Sequence, residues 1–461
     1  MRYISTRGGV SPLGFSEAVM MGLASDGGLL LPESIPLASP ADLRRWAGLS
    51  FQDLALEVLW PYVEQDIGRE PLRGLVARSY QTFTHREVTP LSNAGGRWIL
   101  ELFHGPTAAF KDVALQLLGN LFEFLLEREG GHLNILGATS GDTGSAAIHG
   151  VRGKERIQIF ILHPWQRVSP IQERQMTTVL DANVHNIAIR GTFDDGQRIL
   201  KELFGDLEFK RDYRLGAVNS INWARVLAQV VYYVYAWGRV SGGDPGHPVT
   251  FSVPTGNFGD IFAGYIARRM GVPIERLILA TNRNDILARF VASGVYQAGE
   301  VVPTYSPSMD IQVASNFERY LFYLVDQDPV ALQGLLADFG RTGRLAVDAE
   351  RHRLVAREFE ARTVSEEETL AQIRETHAAS GYILDPHTAV GVRAAAAHPD
   401  AICLATAHPA KFDQAVFQAI GRHAPPPPCL QGLLERETRC SVLDADRDVI
   451  KNFVQRSLAS G

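Results

Sequence analysis

The clearest pattern in the sequence is a run of apolar residues at helical spacing between positions 111 and 128. Its apolar side chains recur three or four residues apart, at Val113, Ala114, Leu117, Leu118, Leu121, Phe122 and Leu125. This spacing predicts a mostly buried helix with Lys111 in its first turn. The positive end of the helix dipole and the apolar neighbours disfavour a charged ammonium there, and an amine nucleophile or a Schiff base requires a lysine that loses its proton easily. An ordinary lysine whose ammonium reaches solvent fits the same pattern.

From residue 97 onward, short apolar strands alternate with loops and helices. Strands are predicted at 97–103, 132–136, 156–162, 183–189, 214–218, 249–253, 276–281 and 402–406. This alternation is typical of βαβ units, in which helices cover both faces of a parallel sheet. The sequence therefore predicts an α/β protein.

The same pattern predicts four parts of the chain. They are a mainly helical N-terminal region at 1–95, a small α/β domain with the lysine at 96–225, a large α/β domain at 226–424 and a C-terminal tail at 425–461. The tail begins with a run of four prolines, which predicts a stiff linker.

Composition limits the classes of ligand. The 461 residues are 46% hydrophobic and 21% charged, and the formal net charge is −6. Mild acidity without basic runs disfavours nucleic acid or an anionic membrane as the partner, which leaves small molecules. No apolar segment is long enough to span a membrane, and the first residues lack the apolar core of a secretory signal. The three cysteines are few, odd in number and not spaced as a metal site, so we predict a cytoplasmic protein without disulfides. The histidines also lack the spacing of a metal site, and no metal is expected. The expected state is a monomer or small homo-oligomer.

Three predicted loops between a strand and a helix are rich in glycine, hydroxyl or amide groups, at 139–144, 219–225 and 256–260. Backbone N–H groups at the start of a helix bind anions, and ligands of parallel sheets bind where strands end. The loop at 256–260 matches neither the nucleoside-triphosphate loop nor the dinucleotide fingerprint, which disfavours nucleotides. Three such loops in one chain indicate a ligand with more than one anionic group.

Two of these loops also have purely structural explanations. Asp142 could simply be the N-cap of a helix. Arg225, with Asn219 and Ser220, could bind a phosphate, but the same residues also fit a surface arginine that is bonded to nearby polar groups. A nearly buried lysine, a phosphate loop and a second anion loop together fit one cofactor, pyridoxal phosphate in Schiff-base linkage.

Short motifs spread nearly end to end resemble those of a known family. They are STRG, SDGGLLLP, LFHGPTAAFKD, TSGDTGSAA, NSINWAR, VPTGNFGD, SPSMD, NFER, DPHTAVG and TAHPAKF. In this order they resemble the longer bacterial and fungal threonine synthases, within the tryptophan-synthase-β-like family of pyridoxal-phosphate enzymes. The resemblance implies fold type II with two open parallel-sheet domains. It also implies conversion of O-phospho-L-homoserine and water to L-threonine and phosphate by γ-elimination and β-addition of water.

The resemblance also implies roles for individual residues. Lys111 is expected to be the catalytic lysine that forms the Schiff base. Residues expected to bind the cofactor are Lys111, Asp142, Gly256, Asn257, Phe258, Gly259, Asp260 and Thr406, the last of which would face the pyridine nitrogen. Residues expected to bind the substrate are Ser140, Gly141, Asp142, Thr143, Asn219, Ser220, Arg225 and Lys411. Many relatives have asparagine where Asp142 stands, and an ionised aspartate cannot donate a hydrogen bond to the cofactor's phenolate oxygen.

Two other functions are compatible with the sequence. A pyridoxal-phosphate phospho-lyase with the same fold would release a 2-keto acid and phosphate instead of adding water, and motifs do not separate the two activities. A non-catalytic binding protein would not need Lys111, so the intact lysine and phosphate loop disfavour it.

Overall fold

The computed structural model describes residues 1–459, which divide into two compact units. Unit 1 contains residues 1–110 and 220–425, and unit 2 contains residues 111–219 and those from 426 onward. The strands are β1 Tyr3–Ser5, β2 Leu30–Pro32, β3 Leu91–Ala94, β4 Arg97–Glu101, β5 Leu133–Ala138, β6 Ile157–Pro164, β7 Val184–Arg190, β8 Leu215–Gly216, β9 Val249–Pro254, β10 Ile274–Thr281, β11 Val295–Gln297, β12 Arg344–Ala346, β13 Phe359–Thr363, β14 Ile402–Ala405 and β15 Ser441–Asp444. None of the helices formed by residues 1–459 has the length and apolarity that a membrane span requires.

The α-helices of the same residues are α1 Phe15–Met21, α2 Pro40–Trp46, α3 Phe51–Val63, α4 Arg69–Tyr80, α5 Lys111–Glu129, α6 Asp142–Val151, α7 Pro170–Thr177, α8 Phe193–Gly205, α9 Leu207–Asp212, α10 Trp223–Ser241, α11 Gly259–Arg269, α12 Ile286–Ser293, α13 Phe317–Leu324, α14 Pro329–Thr342, α15 Ala349–Glu358, α16 Glu366–Ser380, α17 Pro386–Ala394, α18 Asp413–Ile420 and α19 Arg447–Ala459.

Unit 1 is organised around a sheet whose strands have the order β13-β10-β9-β14-β4-β3. Neighbouring strands are parallel, except that β3 and β4 pair antiparallel. The central strand β9 is buried at every position except Thr250, as expected for an inner strand of a parallel sheet that is covered on both faces. The loops that follow β9 and β14 therefore begin at the carboxyl ends of parallel strands, where ligands of such sheets bind.

The N-terminal helices of unit 1 pack against the long helix α10. Phe51 of α3 contacts Tyr235 of α10 with ring centroids 5.5 Å apart, and Tyr62 contacts Trp223 at 6.1 Å. Helix α10 is buried from its first residue through most of its length, as its almost entirely apolar sequence requires. The mainly helical N-terminal region predicted from the sequence is confirmed, and it shares its core with α10.

Unit 2 contains a parallel sheet with the strand order β15-β7-β6-β5-β8. The C-terminal residues belong to this unit, because β15 pairs with β7 and the buried Ile450 and Val454 of α19 join the core that includes Phe160 and Ile187. The two open parallel-sheet regions predicted from the sequence are thus present. The segment described from the sequence as a tail forms the edge strand and one covering helix of the second sheet.

Several strands lie where the sequence pattern did not place them, and two of them, β4 and β13, belong to the sheet of unit 1. Strand β4, grouped from the sequence with the lysine helix, lies in the sheet of unit 1 between β14 and β3. Strand β13 was not predicted, and it pairs in parallel with β10 at the sheet edge. Its sequence FEART has one strongly apolar residue, Phe359, so it lacks the apolar run that marks an inner strand.

Helices α5 and α6 of unit 2 approach each other at two glycines. A Cβ atom on Gly119 would lie 2.0 Å from the carbonyl oxygen of Gly150, and one on Gly150 would lie 2.5 Å from the carbonyl oxygen of Leu115. The two backbones are therefore in direct contact. Because α5 begins at Lys111 and α6 begins at Asp142, this contact sets the separation of those two residues.

Replacing Gly119 should force the two helices apart. We expect Gly119→Ala to lower the free energy of unfolding by about 1–3 kcal/mol, the usual effect of overpacking. Urea unfolding followed by circular dichroism measures the change. Gly205→Ala is the matched control in the same unit, because no atom lies within 4 Å of its added Cβ. Equal stability of the two variants would contradict the close packing of α5 and α6.

Candidate active site

Lys111 is a buried lysine at the first position of α5, with 9% of its surface exposed. Its Nζ atom lies 3.6 Å from Oδ2 of Asp142, the first residue of α6. The ammonium thus faces a carboxylate within the protein, which an ordinary surface lysine would not do. Burial keeps this attraction strong, because little water screens it.

The carboxylate of Asp142 is held on its other side by Gln172 of α7. Gln172 Nε2 donates to Oδ1 of Asp142 at 2.8 Å, and Gln172 Oε1 accepts from Ser169 Oγ at 2.9 Å. These two bonds determine which end of the amide faces the carboxylate. Sequence reasoning missed Gln172, because no motif marks an amide at this distance, although Ser169 and Pro170 are recognisable as a helix start.

The hydroxyl group of Thr139 holds the backbone of the loop at 139–144 in place. Thr139 Oγ1 accepts from the N–H groups of Gly141 at 3.0 Å and Gly144 at 2.9 Å, so these N–H groups are already used inside the loop. Gly141 has φ 151°, and a Cβ on it would lie 2.5 Å from Cδ of Gln172. Ser140 is exposed and Thr143 is half-buried, so their hydroxyl groups remain accessible to a ligand.

The loop at 256–260 joins β9 to α11 in unit 1. Phe258 has φ 65°, in the left-handed region that side chains rarely adopt, and it directly precedes the helix. Its buried ring contacts Phe317 edge-on at 5.3 Å, which holds the backbone in this conformation. The N–H groups of the first helical turn have no acceptor within the helix, so the loop ends at a positive helix terminus.

Both flanks of this loop are fixed by other segments of unit 1. A Cβ on Gly256 would lie 2.6 Å from the carbonyl oxygen of Ser308, so only glycine fits there. The carbonyl oxygen of Asn257 accepts from the N–H of Asn316 at 3.0 Å. In Gly259, a Cβ would lie 3.2 Å from Nδ2 of the same Asn316. The loop backbone thus has little freedom to rearrange.

Asp260, in the first turn of α11, directs its carboxylate toward α10. Its Oδ1 accepts from the hydroxyls of Tyr232 at 2.5 Å and Tyr233 at 2.9 Å. Burial, followed by this carboxylate, raises the pKa of both tyrosines. Because its carboxylate accepts from these tyrosines, Asp260 could contact an anion at the loop only through its backbone N–H.

Arg225 is a buried arginine near the start of α10, with 4% of its surface exposed. Within residues 1–459 its Nη1 atom has no hydrogen-bond partner. Burial lowers the pKa of the guanidinium to about 10. A buried charge without a counter-ion is costly, so this position is suited to an anionic ligand. Asn219 and Ser220 are half-buried, and Ser220 Oγ lies 2.7 Å from Ser315 Oγ.

Arg319 is equally buried but fully bonded. Its guanidinium donates to the carbonyl oxygens of Leu30 at 2.7 Å and Ile221 at 2.5 Å, and to Oδ1 of Asn316 at 2.5 Å. Burial lowers the pKa of Arg319 to about 9. This arginine therefore connects β2 with the segment before α10 and with the segment that flanks the loop at 256–260. Sequence reasoning gave it no role.

Thr406 and Lys411 follow strand β14. The carbonyl oxygen of Thr406 accepts from the N–H of Phe110 at 2.8 Å, while its hydroxyl has no hydrogen-bond partner in the described part of the chain. Lys411 is buried, and its Nζ donates to the carbonyl oxygen of Thr107 at 2.9 Å. Lys411 thus holds the loop that leads to α5.

Within each unit, the available groups fit parts of pyridoxal phosphate. In unit 2, Lys111 supplies an amine that can bind an aldehyde. In unit 1, the glycine-containing loop at 256–260 supplies a helix N-terminus for a phosphate, and Thr406 supplies a free hydroxyl for a ring nitrogen. Asp142 does not fit the role of donor to a phenolate, because its carboxylate faces Lys111 and accepts from Gln172.

Comparison with protein families agrees with this chemistry. A family model described as "Pyridoxal-phosphate dependent enzyme" matches residues 84–404, so the chain is an enzyme of that class. Models described as "Threonine synthase N terminus" and "Threonine synthase, C-terminal" match residues 2–80 and 388–454. Threonine synthase of Pseudomonas aeruginosa is 49% identical, covering 99% of this chain and 98% of its own length. That of Saccharomyces cerevisiae is 45% identical, with the same two shares. The chain belongs to the threonine synthase family.

Solved structures confirm the predicted fold type. A crystal structure of pyridoxal-phosphate-bound threonine synthase from Brucella melitensis has a TM-score of 0.96 and 45% identity over 99% of both chains. Yeast threonine synthase has a TM-score of 0.95 and 44% identity, and it covers 100% of this chain and 99% of its own. The predicted fold type II and the predicted cofactor, pyridoxal phosphate, are confirmed.

The two buried arginines should respond in opposite ways to replacement. Arg225→Met removes a charge without a counter-ion, so we expect the cofactor-free protein to be at least as stable as the unmodified protein. Arg319→Met leaves buried carbonyl groups without donors, so we expect a loss of about 3 kcal/mol or more. Chemical unfolding of the two cofactor-free variants measures both effects. Equal destabilisation by the two substitutions would contradict the distinction between them.

Proposed function

We propose that this protein converts O-phospho-L-homoserine and water to L-threonine and phosphate. Membership of the threonine synthase family and full-length relatives of that name support the reaction. The observation that leads from the family to a phosphorylated substrate is the buried guanidinium of Arg225. Its Nη1 has no hydrogen-bond partner in residues 1–459, and a substrate phosphate would provide one.

Lys111 is the proposed acid–base residue. Pyridoxal phosphate, when bound, supplies an aldehyde for the substrate's amino group and a conjugated ring that withdraws electrons from the adjacent carbon. Lys111 Nζ takes the proton from Cα of the substrate and, once it has given that proton up, takes one from Cβ; protons returned to Cγ and Cα in the later steps balance the two that are removed. Asp142, with its Oδ2 at 3.6 Å, stabilises Nζ when it carries the proton. Gln172 keeps that carboxylate in place.

The proposed phosphate ligands of the substrate act on the leaving group. Arg225 is buried before any substrate binds, so its guanidinium needs no further desolvation when the phosphate departs. Asn219, Ser220 and Lys411 are further proposed ligands of this phosphate. Holding it both orients the substrate and stabilises the charge that develops as the bond to Cγ breaks.

The loop at 139–144 is the proposed site for the substrate carboxylate. Because Thr139 already binds the N–H groups of Gly141 and Gly144, the accessible hydroxyls of Ser140 and Thr143 are the proposed main contacts. We assign the cofactor's phosphate to the backbone N–H groups at 256–260 and its ring nitrogen to the Thr406 hydroxyl.

We also propose a cytoplasmic location and a monomeric or small homo-oligomeric state. The net charge of −6 supports a small-molecule partner instead of nucleic acid. The three cysteines are few and odd in number, which supports a reducing compartment.

The identity of the organic product tests the proposed reaction. The purified protein is incubated with pyridoxal phosphate and O-phospho-L-homoserine, and phosphate, threonine and 2-oxobutyrate are quantified. We expect threonine in equal amount to phosphate. Phosphate with 2-oxobutyrate would instead identify the phospho-lyase alternative.

Two lysine variants are the controls for this assay. Lys111→Ala should reduce threonine formation below detection, because no other amine is proposed to move the substrate protons. Lys154→Ala removes a lysine of the same unit that is bound to Glu123 and Asn120, and it should retain activity. Threonine formation by Lys111→Ala would exclude the proposed role.

Replacing Arg225 should affect substrate binding more than cofactor binding. We expect Arg225→Met to raise the KM for O-phospho-L-homoserine about 100-fold, the effect of losing a charge-assisted hydrogen bond to phosphate. The dissociation constant of pyridoxal phosphate should stay within about twofold. Steady-state kinetics and absorbance titration measure the two quantities. An unchanged KM would show that Arg225 does not bind the substrate phosphate.

A further inference from the structure

The side chain of His387 is immobilised at the start of α17. Asp385, the N-cap residue, accepts from the N–H of His387 at 2.9 Å, and the same Oδ1 lies 2.9 Å from Nδ1 of the ring. Phe412 packs edge-on against the ring with centroids 4.6 Å apart. With 3% of its surface exposed, His387 is held in one orientation.

The hydrogen bonds of His387 determine its tautomer. The backbone N–H of Ser308 donates to Nε2 at 3.3 Å. Because a backbone N–H can only donate, Nε2 carries no proton, and the ring proton lies on Nδ1, where it is donated to Asp385. Asp385 thus orients the imidazole so that its lone pair meets Ser308.

Ser308 belongs to a short 3₁₀ helix, Pro307–Met309, against which the phosphate loop packs. A Cβ on Gly256 would lie 2.6 Å from the carbonyl oxygen of Ser308 and 3.2 Å from Cα of Met309. The 3₁₀ helix therefore serves as a support for the backbone at Gly256. Any shift of Ser308 would be transmitted to the loop, because no space separates the two backbones.

The C-terminal end of the 3₁₀ helix, at Asp310, is fixed by a separate cluster of polar groups. The carboxylate of Asp310 accepts from Nδ2 of Asn282 at 2.8 Å, Nδ2 of Asn284 at 3.0 Å and the N–H of Thr304 at 2.9 Å. His387 fixes the 3₁₀ helix at Ser308. Different residues thus hold the 3₁₀ helix at Ser308 and at Asp310.

We propose that His387 is a positioning residue, which fixes the 3₁₀ helix through Ser308 and thereby sets the conformation of the loop at 256–260 for the cofactor's phosphate. This inference rests on the proposed assignment of that loop. It concerns only the phosphate part of the cofactor, so its effect should be absent for pyridoxal, which lacks the phosphate.

The test compares the binding of pyridoxal phosphate and pyridoxal to the cofactor-free protein by absorbance titration. We expect His387→Leu to weaken the affinity for pyridoxal phosphate about tenfold, as the loss of one hydrogen bond allows, and to leave the affinity for pyridoxal unchanged. His387→Gln keeps an acceptor for the N–H of Ser308, so it should restore affinity to within about threefold of the unmodified protein.

A matched control separates positioning from general destabilisation. His398 also has its ring bonded to a carboxylate, that of Glu360 at 2.9 Å, but it does not contact the 3₁₀ helix. His398→Leu should bind both compounds normally. Should His387→Leu fail to fold, His387→Asn replaces it, because its shorter side chain cannot reach Ser308. Equal losses of affinity for pyridoxal phosphate and pyridoxal would overturn the proposal.

Gly256→Ala distinguishes failure of this inference from failure of the proposed function. It places a Cβ directly against Ser308, so it should weaken binding of pyridoxal phosphate selectively. If Gly256→Ala leaves that affinity unchanged, the loop does not bind the phosphate, and both the assignment and the inference fail. If Gly256→Ala weakens binding and His387→Leu does not, only the positioning role of His387 is overturned.

Discussion

A buried charge needs a partner, and this constraint organises the polar interior of both units. In unit 2 the ammonium of Lys111 faces Asp142, whose carboxylate is also bound by Gln172. In unit 1 the guanidinium of Arg319 is surrounded by carbonyl oxygens. Arg225 is the exception, because its buried Nη1 finds no partner in residues 1–459. Partnered charges hold the structure together, whereas the unpartnered one is the position that we propose for a ligand anion.

Direct contact between backbones gives these groups their geometry. The α5–α6 contact at Gly119 and Gly150 sets where Lys111 and Asp142 lie, and the contact of Gly256 with the 3₁₀ helix sets the conformation of the loop at 256–260. Such contacts cannot stretch or compress as side-chain contacts can, since the interior is already close-packed. The aromatic packing that holds Phe258 at positive φ has the same effect. Groups placed in this way are organised before a ligand binds.

The sequence predicted features that depend on neighbouring residues, but it did not predict contacts between residues that are far apart along the chain. Apolar periodicity placed Lys111 at a helix start, and glycine-rich motifs marked the loops at 139–144 and 256–260. Gln172 and Arg319 were missed because hydrogen bonds to residues far along the chain leave no periodic pattern. The same holds for β4, whose sheet is decided by its pairing with β14. Asp142 could be found by its motif, but only the structure shows that Gln172 and Lys111 use its carboxylate oxygens.

If Arg225 binds the substrate phosphate as proposed, the burial of its charge links substrate binding to the stability of the fold. Burial lowers its pKa to about 10, so the folded protein binds its proton less tightly than the unfolded chain does, and its burial destabilises the fold at every pH below that value. At neutral pH the guanidinium is still charged and therefore carries this cost in full. A phosphate that pairs with it recovers part of the cost, because it binds the folded state alone. In the proposed function, the free energy lost by burying this unpaired charge is thus available for binding the phosphate, and the guanidinium is already desolvated when the leaving group develops its charge.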